Sequence, residues 1–297
     1  MTFLNLIQAA FPSLKLLEQE PMSAHTSFRI GGPAAMAFPA SCEELAQLYR
    51  FCLTQGIAPL LLGAGTNVLA PDGGLERLVI CTRDLSQITD LGNGRIEAQC
   101  GVSLAKLACF ARDLGLTGLE FAHGIPGTVG GGVYMNAGAY GGEICQVAVK
   151  TTALLPDGAL WEVEGENHRF SYRHSVFEEQ QAVVLKTVFQ LKVGDRDAIT
   201  ARMQELIQKR RNSQPLELPS AGSTFKRPAG GYAAALIDQA GLKGKGVGGA
   251  AVSEKHAGFV VNLGGATAAD VLATMQLIQK RVYETSGILL EPEVRIW

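Results

Sequence analysis

The chain has 297 residues, 47% hydrophobic and 18% charged, which gives enough apolar content for a sizeable core and a length that suits about two domains. A formal net charge of -2 excludes a chain-wide field for nucleic acid or an anionic membrane. No apolar run is long enough to span a bilayer, and no His/Cys spacing suits zinc.

Phe3, Leu4, Ile7 and Phe11 recur at helical spacing with no basic residue before Lys15, which predicts a short amphipathic helix rather than a signal peptide. Ser41-x-x-Glu44 reads as a capping box for a helix with Leu45, Leu48 and Cys52 on one face, stopped by Gly56. The apolar run Ala58–Leu62 predicts a buried strand that ends at Gly63. Leu78–Cys81 and Ile96–Val102 read as further strands, and Ser103–Leu114 as a helix closed by Gly115. Residues 147–155, 160–164 and 182–192 read as strands. Ile199, Met203, Leu206 and Ile207 mark an amphipathic helix, and Asn212–Pro219 reads as a linker.

Beyond the linker, Tyr232–Ala240 predicts a helix stopped by Gly241, and Gly258–Leu263 a strand. Thr267-x-x-Asp270 caps a helix whose core face is Val271, Leu272, Met275, Ile278 and Val282. Ile288–Ile296 predicts a final strand. The fold class is α+β throughout. The expected organisation is residues 1–194, then a helix and linker at 195–214, then a smaller domain at 215–297. The cysteines at 42, 52, 81, 100, 109 and 145 include no CxxC. They are expected to be reduced core residues of a cytoplasmic protein.

The 35 glycines exceed the usual ~7% and concentrate at 63–74, 124–142 and 241–249. Such density suits backbone held close to a ligand, since no Cβ stands in the way. Gly63-Ala64-Gly65-Thr66-Asn67 is not a Rossmann fingerprint, because Val68 stands where a third glycine is needed and Pro71, Gly73 and Gly74 interrupt any following helix. It reads as an anion-binding nest or as an ordinary strand–turn. The run Gly124–Gly132, followed by Met135–Gly142, can offer many N–H groups to phosphates; a structural turn is the alternative. Lys209-Arg210-Arg211 is either a solvated helix end or an anion contact.

Ser220–Pro228 places the Ser223 hydroxyl beside Gly222 with Lys226 and Arg227 a few residues on. A hydroxyl in that setting can deliver a proton next to an anionic substrate. Tyr172-Arg173-His174-Ser175 and Pro292-Glu293-Val294-Arg295 lie far from it in sequence. An arginine, a serine and a glutamate can share a site only if the fold gathers three distant elements.

In order along the chain come Gly63–Asn67, GIPGTVGG, MNAGAYGG, Tyr172–Phe177, Ala221–Pro228, Gly248–Ala250, Val252–Ala257 and Pro292–Arg295. On these motifs the chain resembles the UDP-N-acetylenolpyruvoylglucosamine reductases, flavoenzymes of bacterial cell-wall precursor synthesis, from about Thr26 to Arg295. The resemblance implies an FAD-binding fold of the vanillyl-alcohol-oxidase type followed by a substrate domain. It implies non-covalent FAD, NADPH as reductant and UDP-N-acetylglucosamine enolpyruvate as substrate, with no nucleic-acid or membrane partner; a monomer is expected. It further implies hydride transfer from flavin N5 to C3 of the enol ether and protonation at C2.

By that resemblance Arg173 holds the substrate carboxylate, Ser223 is the proton donor and Glu293 orients or polarises the intermediate. Cofactor contacts fall on Gly63, Ala64, Gly65, Thr66, Asn67, Gly124, Ile125, Gly127, Thr128, Gly131, Asn136, Ala137 and Gly138. Substrate contacts fall on Tyr172, Arg211, Lys226 and Arg227. Lys255 and His256 are either structural or ligand contacts, and His123 and His174 have no assigned role. The short interval between Arg173 and Ser223 leaves no room for the tyrosine lid of the longer class, so the chain looks like the shorter, type II class. No tail beyond Trp297 is expected to supply a contact. A flavin-dependent alcohol oxidase of the same fold and a non-catalytic flavin- or UDP-sugar-binding protein are the alternatives.

Overall fold

A computed structural model describes residues 3–297. The chain divides into two compact units. Unit 1 comprises residues up to Glu18, Ala35–Ala64 and Arg77–Lys209; unit 2 comprises Gln19–Ala34, Gly65–Glu76 and Arg210–Trp297.

Unit 1 carries helices α1 (Phe3–Ala10), α2 (Cys42–Thr54), α3 (Leu104–Asp113), α4 (Val129–Tyr134) and α5 (Val176–Glu179), and α6 (Arg196–Ser213) leads the chain out of it. The Ser41 hydroxyl accepts from Glu44 N at 3.0 Å, as the capping box predicts, but the Glu44 carboxylate reaches Ala40 N rather than the cap's own amide. Leu45, Leu48, Tyr49 and Cys52 of α2 are buried, and each large apolar side chain so placed contributes roughly 1.5–3 kcal/mol over exposure. Ser103 caps α3 through Lys106 N, and Gly115 closes it at φ +68°.

The main sheet of unit 1 has five antiparallel strands in the order 160–164, 148–154, 183–190, 95–99, 88–92. The three strands expected at 147–155, 160–164 and 182–192 are its adjacent members. Leu60–Leu62 pairs in parallel with the Val79–Cys81 stretch of the strand Leu75–Cys81. Inside the sheet, Thr151 and Thr187 share a hydrogen bond at 3.1 Å, and His168 Nε2 meets Thr151 Oγ1 at 3.0 Å. His168 Nδ1 lies 2.8 Å from Gly165 O, so it donates there. Burial lowers the His168 pKa, and the neutral ring satisfies both partners.

Unit 2 carries α7 (Ala233–Gln239) and α8 (Ala268–Ser286). The Thr267–Asp270 capping box forms in full, and Val271, Met275, Ile278 and Val282 are buried. They pack with Ala250, Val252 and Val260 from a three-stranded antiparallel sheet, 246–247, 250–252 and 260–262. Val68–Leu69 pairs in parallel with Arg295–Ile296.

Several expectations need correction. The strand expected over Ile288–Ile296 shrinks to Arg295–Ile296, with a single bridge between Pro292 and Phe225 upstream. Pro292 has no N–H to give a ladder, so the segment pairs only locally. The strands Lys15–Pro21, Pro33–Phe38 and Ile88–Gly92 were not expected. Nor was α4, because three consecutive glycines cost about 1 kcal/mol each against alanine in a helix. Two of them are needed for close packing: a Cβ on Gly130 would stand 2.8 Å from Cys100 Cβ, and one on Gly132 would press on Leu104 at 3.3 Å. The cysteines are not uniformly core residues either. Cys52, Cys81 and Cys100 are buried, Cys42 and Cys109 are half-buried, and Cys145 is exposed.

Candidate active site

In unit 1 the strand Leu60–Leu62 ends at Gly63 beside the start of α4. A Cβ on Gly63 would lie 2.5 Å from Thr128 Oγ1. Thr128 occupies the N-cap position of α4 in extended conformation, yet its hydroxyl makes no cap bond. That oxygen is buried and has no hydrogen-bond partner among the described residues. The surrounding backbone is otherwise tied down. Val129 N donates to Val102 O and Gly130 N to Cys100 O, both at 2.8 Å, and Leu104 N donates to Gly127 O at 3.0 Å. Ile125 N closes on Ala122 O at 3.0 Å and shapes the turn that begins at Gly124. A Cβ on Gly131 would meet only Thr128 Oγ1, at 3.9 Å. Arg83 draws the carbonyls of Gly63 and Ala64 toward itself, Nε to Gly63 O at 3.2 Å and Nη2 to Ala64 O at 2.9 Å. Twenty residues separate them in sequence, and no motif signalled the contact.

Gly63 thus lets Thr128 pack closely against the loop, and the Thr128 hydroxyl has a proton for which the described residues supply no acceptor. An unpaired buried hydroxyl costs free energy unless something completes it. A phosphate oxygen does so, and the pyrophosphate of FAD supplies several; the residues present therefore fit that group.

Still in unit 1, Ser171 and His174 exchange both backbone hydrogen bonds, at 3.1 and 3.2 Å, and so place Tyr172 and Arg173 at the tip of a tight turn. Arg173 holds a left-handed φ of +56°, a conformation uncommon for a side chain of this kind. Its guanidinium lies 5.1 Å from the Tyr172 ring centroid. Three side chains anchor the turn. The Asn136 Nδ2 donates to Ser171 O at 3.1 Å and to Glu143 Oε2 at 2.9 Å, while its Oδ1 accepts from Cys145 N. The Ser175 hydroxyl donates to Tyr134 O at 2.6 Å. His174 sets Nδ1 3.0 Å from Glu178 and Nε2 2.8 Å from Glu179. Hydrogen bonds first from Glu179 and then from Glu178 raise the His174 pKa.

The amide of Asn136 is thus used within the protein, where it links the Gly138–Glu143 hairpin to the Arg173 turn. Gly138 is needed for that hairpin, because a Cβ there would stand 2.7 Å from Glu143 Cγ. Ala137 N donates to Gly132 O at 2.7 Å and joins the hairpin to α4.

In unit 2, Gly222 turns the chain at φ +76° and presents Ser223, which is exposed. Thr224 behind it is buried and fixed: its N donates to Gly258 O at 2.9 Å and its hydroxyl accepts from Val260 N at 2.9 Å. Glu293 N donates to Thr224 O at 2.8 Å, so the backbone brings Ser223 and Glu293 to neighbouring segments from 70 residues apart in sequence. Asn67 holds the other side of Glu293: Nδ2 donates to Glu293 O at 3.0 Å, and Arg295 N donates to Asn67 O at 2.9 Å. Gly65 packs against His25, where a Cβ would collide with the carbonyl, and accepts from Ser27 N at 3.0 Å.

Lys226 pairs loosely with Glu291 at 3.6 Å, and the Arg227 guanidinium lies 4.6 Å from the Tyr232 ring centroid. Arg211 is exposed near the end of α6, and its carbonyl accepts from Lys255 Nζ at 2.7 Å. The Ser253 hydroxyl accepts from Lys255 N and His256 N, and His256 Nδ1 accepts from Gly258 N at 3.1 Å. This turn presents the Gly258 carbonyl on which Thr224 hangs. His123 lies in unit 1, with Nδ1 3.6 Å from Cys109 Sγ and its pKa lowered by burial. Arg173 belongs to unit 1, Ser223 and Glu293 to unit 2. Among the described residues no group of three or more His, Cys, Asp or Glu could hold a metal, and no helix is long and apolar enough to cross a membrane.

Residues 33–164 match the family model described as an FAD binding domain. Residues 214–297 match that described as the UDP-N-acetylenolpyruvoylglucosamine reductase C-terminal domain. A UDP-N-acetylenolpyruvoylglucosamine reductase of Limosilactobacillus fermentum is 44% identical over 98% of this chain and 97% of its own. The chain belongs to that reductase family. A relative of the same description from Caldanaerobacter subterraneus is 45% identical over 95% of this chain and 93% of its own. The crystal structure of UDP-N-acetylenolpyruvylglucosamine reductase from Thermus caldophilus superposes with a TM-score of 0.81 at 34% identity, covering 96% of this chain and 99% of that one. Membership carries the FAD-binding architecture and the α+β class expected from sequence.

Proposed function

We propose that this chain is an FAD-dependent oxidoreductase that uses NADPH to reduce the enolpyruvyl ether of UDP-N-acetylglucosamine enolpyruvate, giving UDP-N-acetylmuramate for peptidoglycan synthesis in the cytoplasm. The observation that carries the cofactor reading is the buried, unpaired Thr128 hydroxyl beside the Cβ-free face of Gly63. When bound, FAD supplies the hydride that NADPH provides and that adds to C3 of the enolpyruvyl group.

The chain's own residues handle the charge and the proton. Adding hydride to C3 pushes an electron pair toward C2 and the neighbouring carboxylate. Arg173 binds that carboxylate, since a guanidinium stays charged and offers paired donors. Ser223 gives its proton to C2; a hydroxyl is a weak acid, so it serves only against a strongly basic carbon held at close range. Glu293 orients the intermediate or returns a proton to Ser223. The exposed Lys226, Arg227 and Arg211 serve the diphosphate, and Tyr172 flanks Arg173. The backbone bonds around Thr224 and Asn67 support this reading, because they hold together the segments that carry Ser223 and Glu293.

The test is product analysis. NADPH and UDP-N-acetylglucosamine enolpyruvate incubated with the protein should yield a product heavier by two hydrogens, with one NADPH consumed per product. Oxidation of a small alcohol with oxygen uptake, and no change in the enol ether, would replace this reading with an oxidase.

A further inference from the structure

Cys42 and Cys100 are distant in sequence and meet at one carbonyl in unit 1. Cys42 opens α2 directly after the cap Ser41. Cys100 follows the strand Arg95–Gln99. The Cys42 Sγ lies 3.5 Å from Leu185 O, and Cys100 N donates to the same oxygen at 2.8 Å. Their side chains are near enough to shift each other's acidity.

Their surroundings differ. Cys42 is half-buried, and Cys100 is 1% exposed. The Cys100 thiol lowers the Cys42 pKa, helped by Lys186 and opposed by burial and by Glu97. Lys186 and Glu97 pair at 2.9 Å. The first turn of α2 adds the partial positive charge of a helix N-terminus. The Cys42 thiol, with burial, holds Cys100 well above the usual thiol range. One accessible thiol disposed to ionise, backed by one sequestered thiol, is the arrangement of an attacking and a resolving cysteine.

We propose that Cys42 and Cys100 form an oxidative modification site for hydroperoxides, in which Cys42 reacts first and the pair closes to a reversible intramolecular disulfide. In the first step the Cys42 thiolate attacks a peroxide oxygen. The S–O bond forms, the O–O bond breaks, and the departing hydroxide takes up the proton that Cys42 lost on ionising and leaves as water. In the second step the Cys100 sulfur attacks the Cys42 sulfur. The S–S bond forms, the S–O bond breaks, and the second water leaves with the Cys100 proton. Two thiols are oxidised and one hydrogen peroxide is reduced to two waters. A dithiol reverses the change.

The bond ties the start of α2 to the turn on which α4 rests. Cys100 O accepts from Gly130 N, and Cys100 Cβ fills the space that a side chain at Gly130 would need. Exposure alone would select a different thiol, because Cys145 is the exposed one and Cys109 is half-buried like Cys42.

The test uses the full-length protein and hydrogen peroxide, followed by alkylation, proteolysis without reduction and mass spectrometry. The expected result is loss of two of the six free thiols, a Cys42–Cys100 cross-linked peptide, and full recovery with a dithiol. Cys100→Ser should accumulate sulfenic acid at Cys42, trapped by a cyclic 1,3-diketone, and Cys42→Ser should leave Cys100 reduced. Oxidation confined to Cys109 or Cys145, or Cys42 carried to sulfinic acid without the cross-link, overturns the proposal. The wild-type peptide map decides the matter even if a variant fails to fold.

Discussion

Thr128→Val separates folding from cofactor binding by sign. Valine keeps the shape of threonine and removes only the hydroxyl. In the protein without flavin that hydroxyl is buried beside Gly63 with no partner among the described residues, at a cost of about 1–3 kcal/mol. Removing it should stabilise the flavin-free protein by about 1 kcal/mol and raise Tm by roughly 2–4 °C for a unit of this size. With FAD bound, the same hydroxyl donates to a phosphate oxygen, a charge-assisted bond of about 1.5–3 kcal/mol. The variant should then bind FAD about tenfold or more weakly, since about 1.4 kcal/mol is a factor of ten. Flavin is stripped, thermal unfolding is followed by circular dichroism, and FAD is titrated by quenching of its fluorescence. A variant that is less stable without flavin, yet binds FAD as tightly as the parent, would refute the reasoning.

Three further outcomes are expected. Ser223→Ala should retain flavin and its reduction by NADPH but slow reoxidation by the enol ether by about 10²-fold or more; reoxidation at the parent rate would remove Ser223 from proton delivery. Both ring nitrogens of His174 face carboxylates, so the contact needs the charged ring. Because its pKa is raised on folding, its stabilisation is full below the unfolded value near ~6.5 and is lost as pH rises through the folded value. Stability scanned against pH should show this decline in the parent and lack it in His174→Gln. Asn136→Ala removes three hydrogen bonds at a buried residue with φ +44°, so urea unfolding should show a loss of about 2–3 kcal/mol; a loss under 0.5 kcal/mol, the scale of a neutral surface change, would contradict the clamp.

Local signals carried much of the fold. Ser41 and Thr267 each cap the helix their spacing announced, because a cap is a contact over three residues and sequence displays it directly. The strand at 183–190 followed from a dense β-branched and aromatic run, and those at 148–154 and 160–164 lie within segments that also read as strands. The failures share a cause: the deciding partner is remote. Glycines forbid α4 by propensity, yet Cys100 and Leu104 require them by packing. Pro292 limits the last strand through the ladder bond it cannot give.

At the site, the ordered motifs identified the segments, but not what each residue does inside the protein. Asn67, expected at the cofactor, anchors the Glu293 backbone across 226 positions. Asn136 spends its amide on the Arg173 turn. Arg83 shapes the Gly63 loop, and the approach of Cys42 to the Leu185 carbonyl is likewise set by folding alone. None of these contacts has a spacing that sequence could display.

The most direct measurement of the central claim is an anaerobic absorbance experiment. The flavin band of the purified protein is recorded, one equivalent of NADPH is added, and UDP-N-acetylglucosamine enolpyruvate follows. The account predicts bleaching by NADPH and full recovery on adding the enol ether. A band that bleaches and does not recover, or no flavin band after reconstitution with FAD, would contradict it.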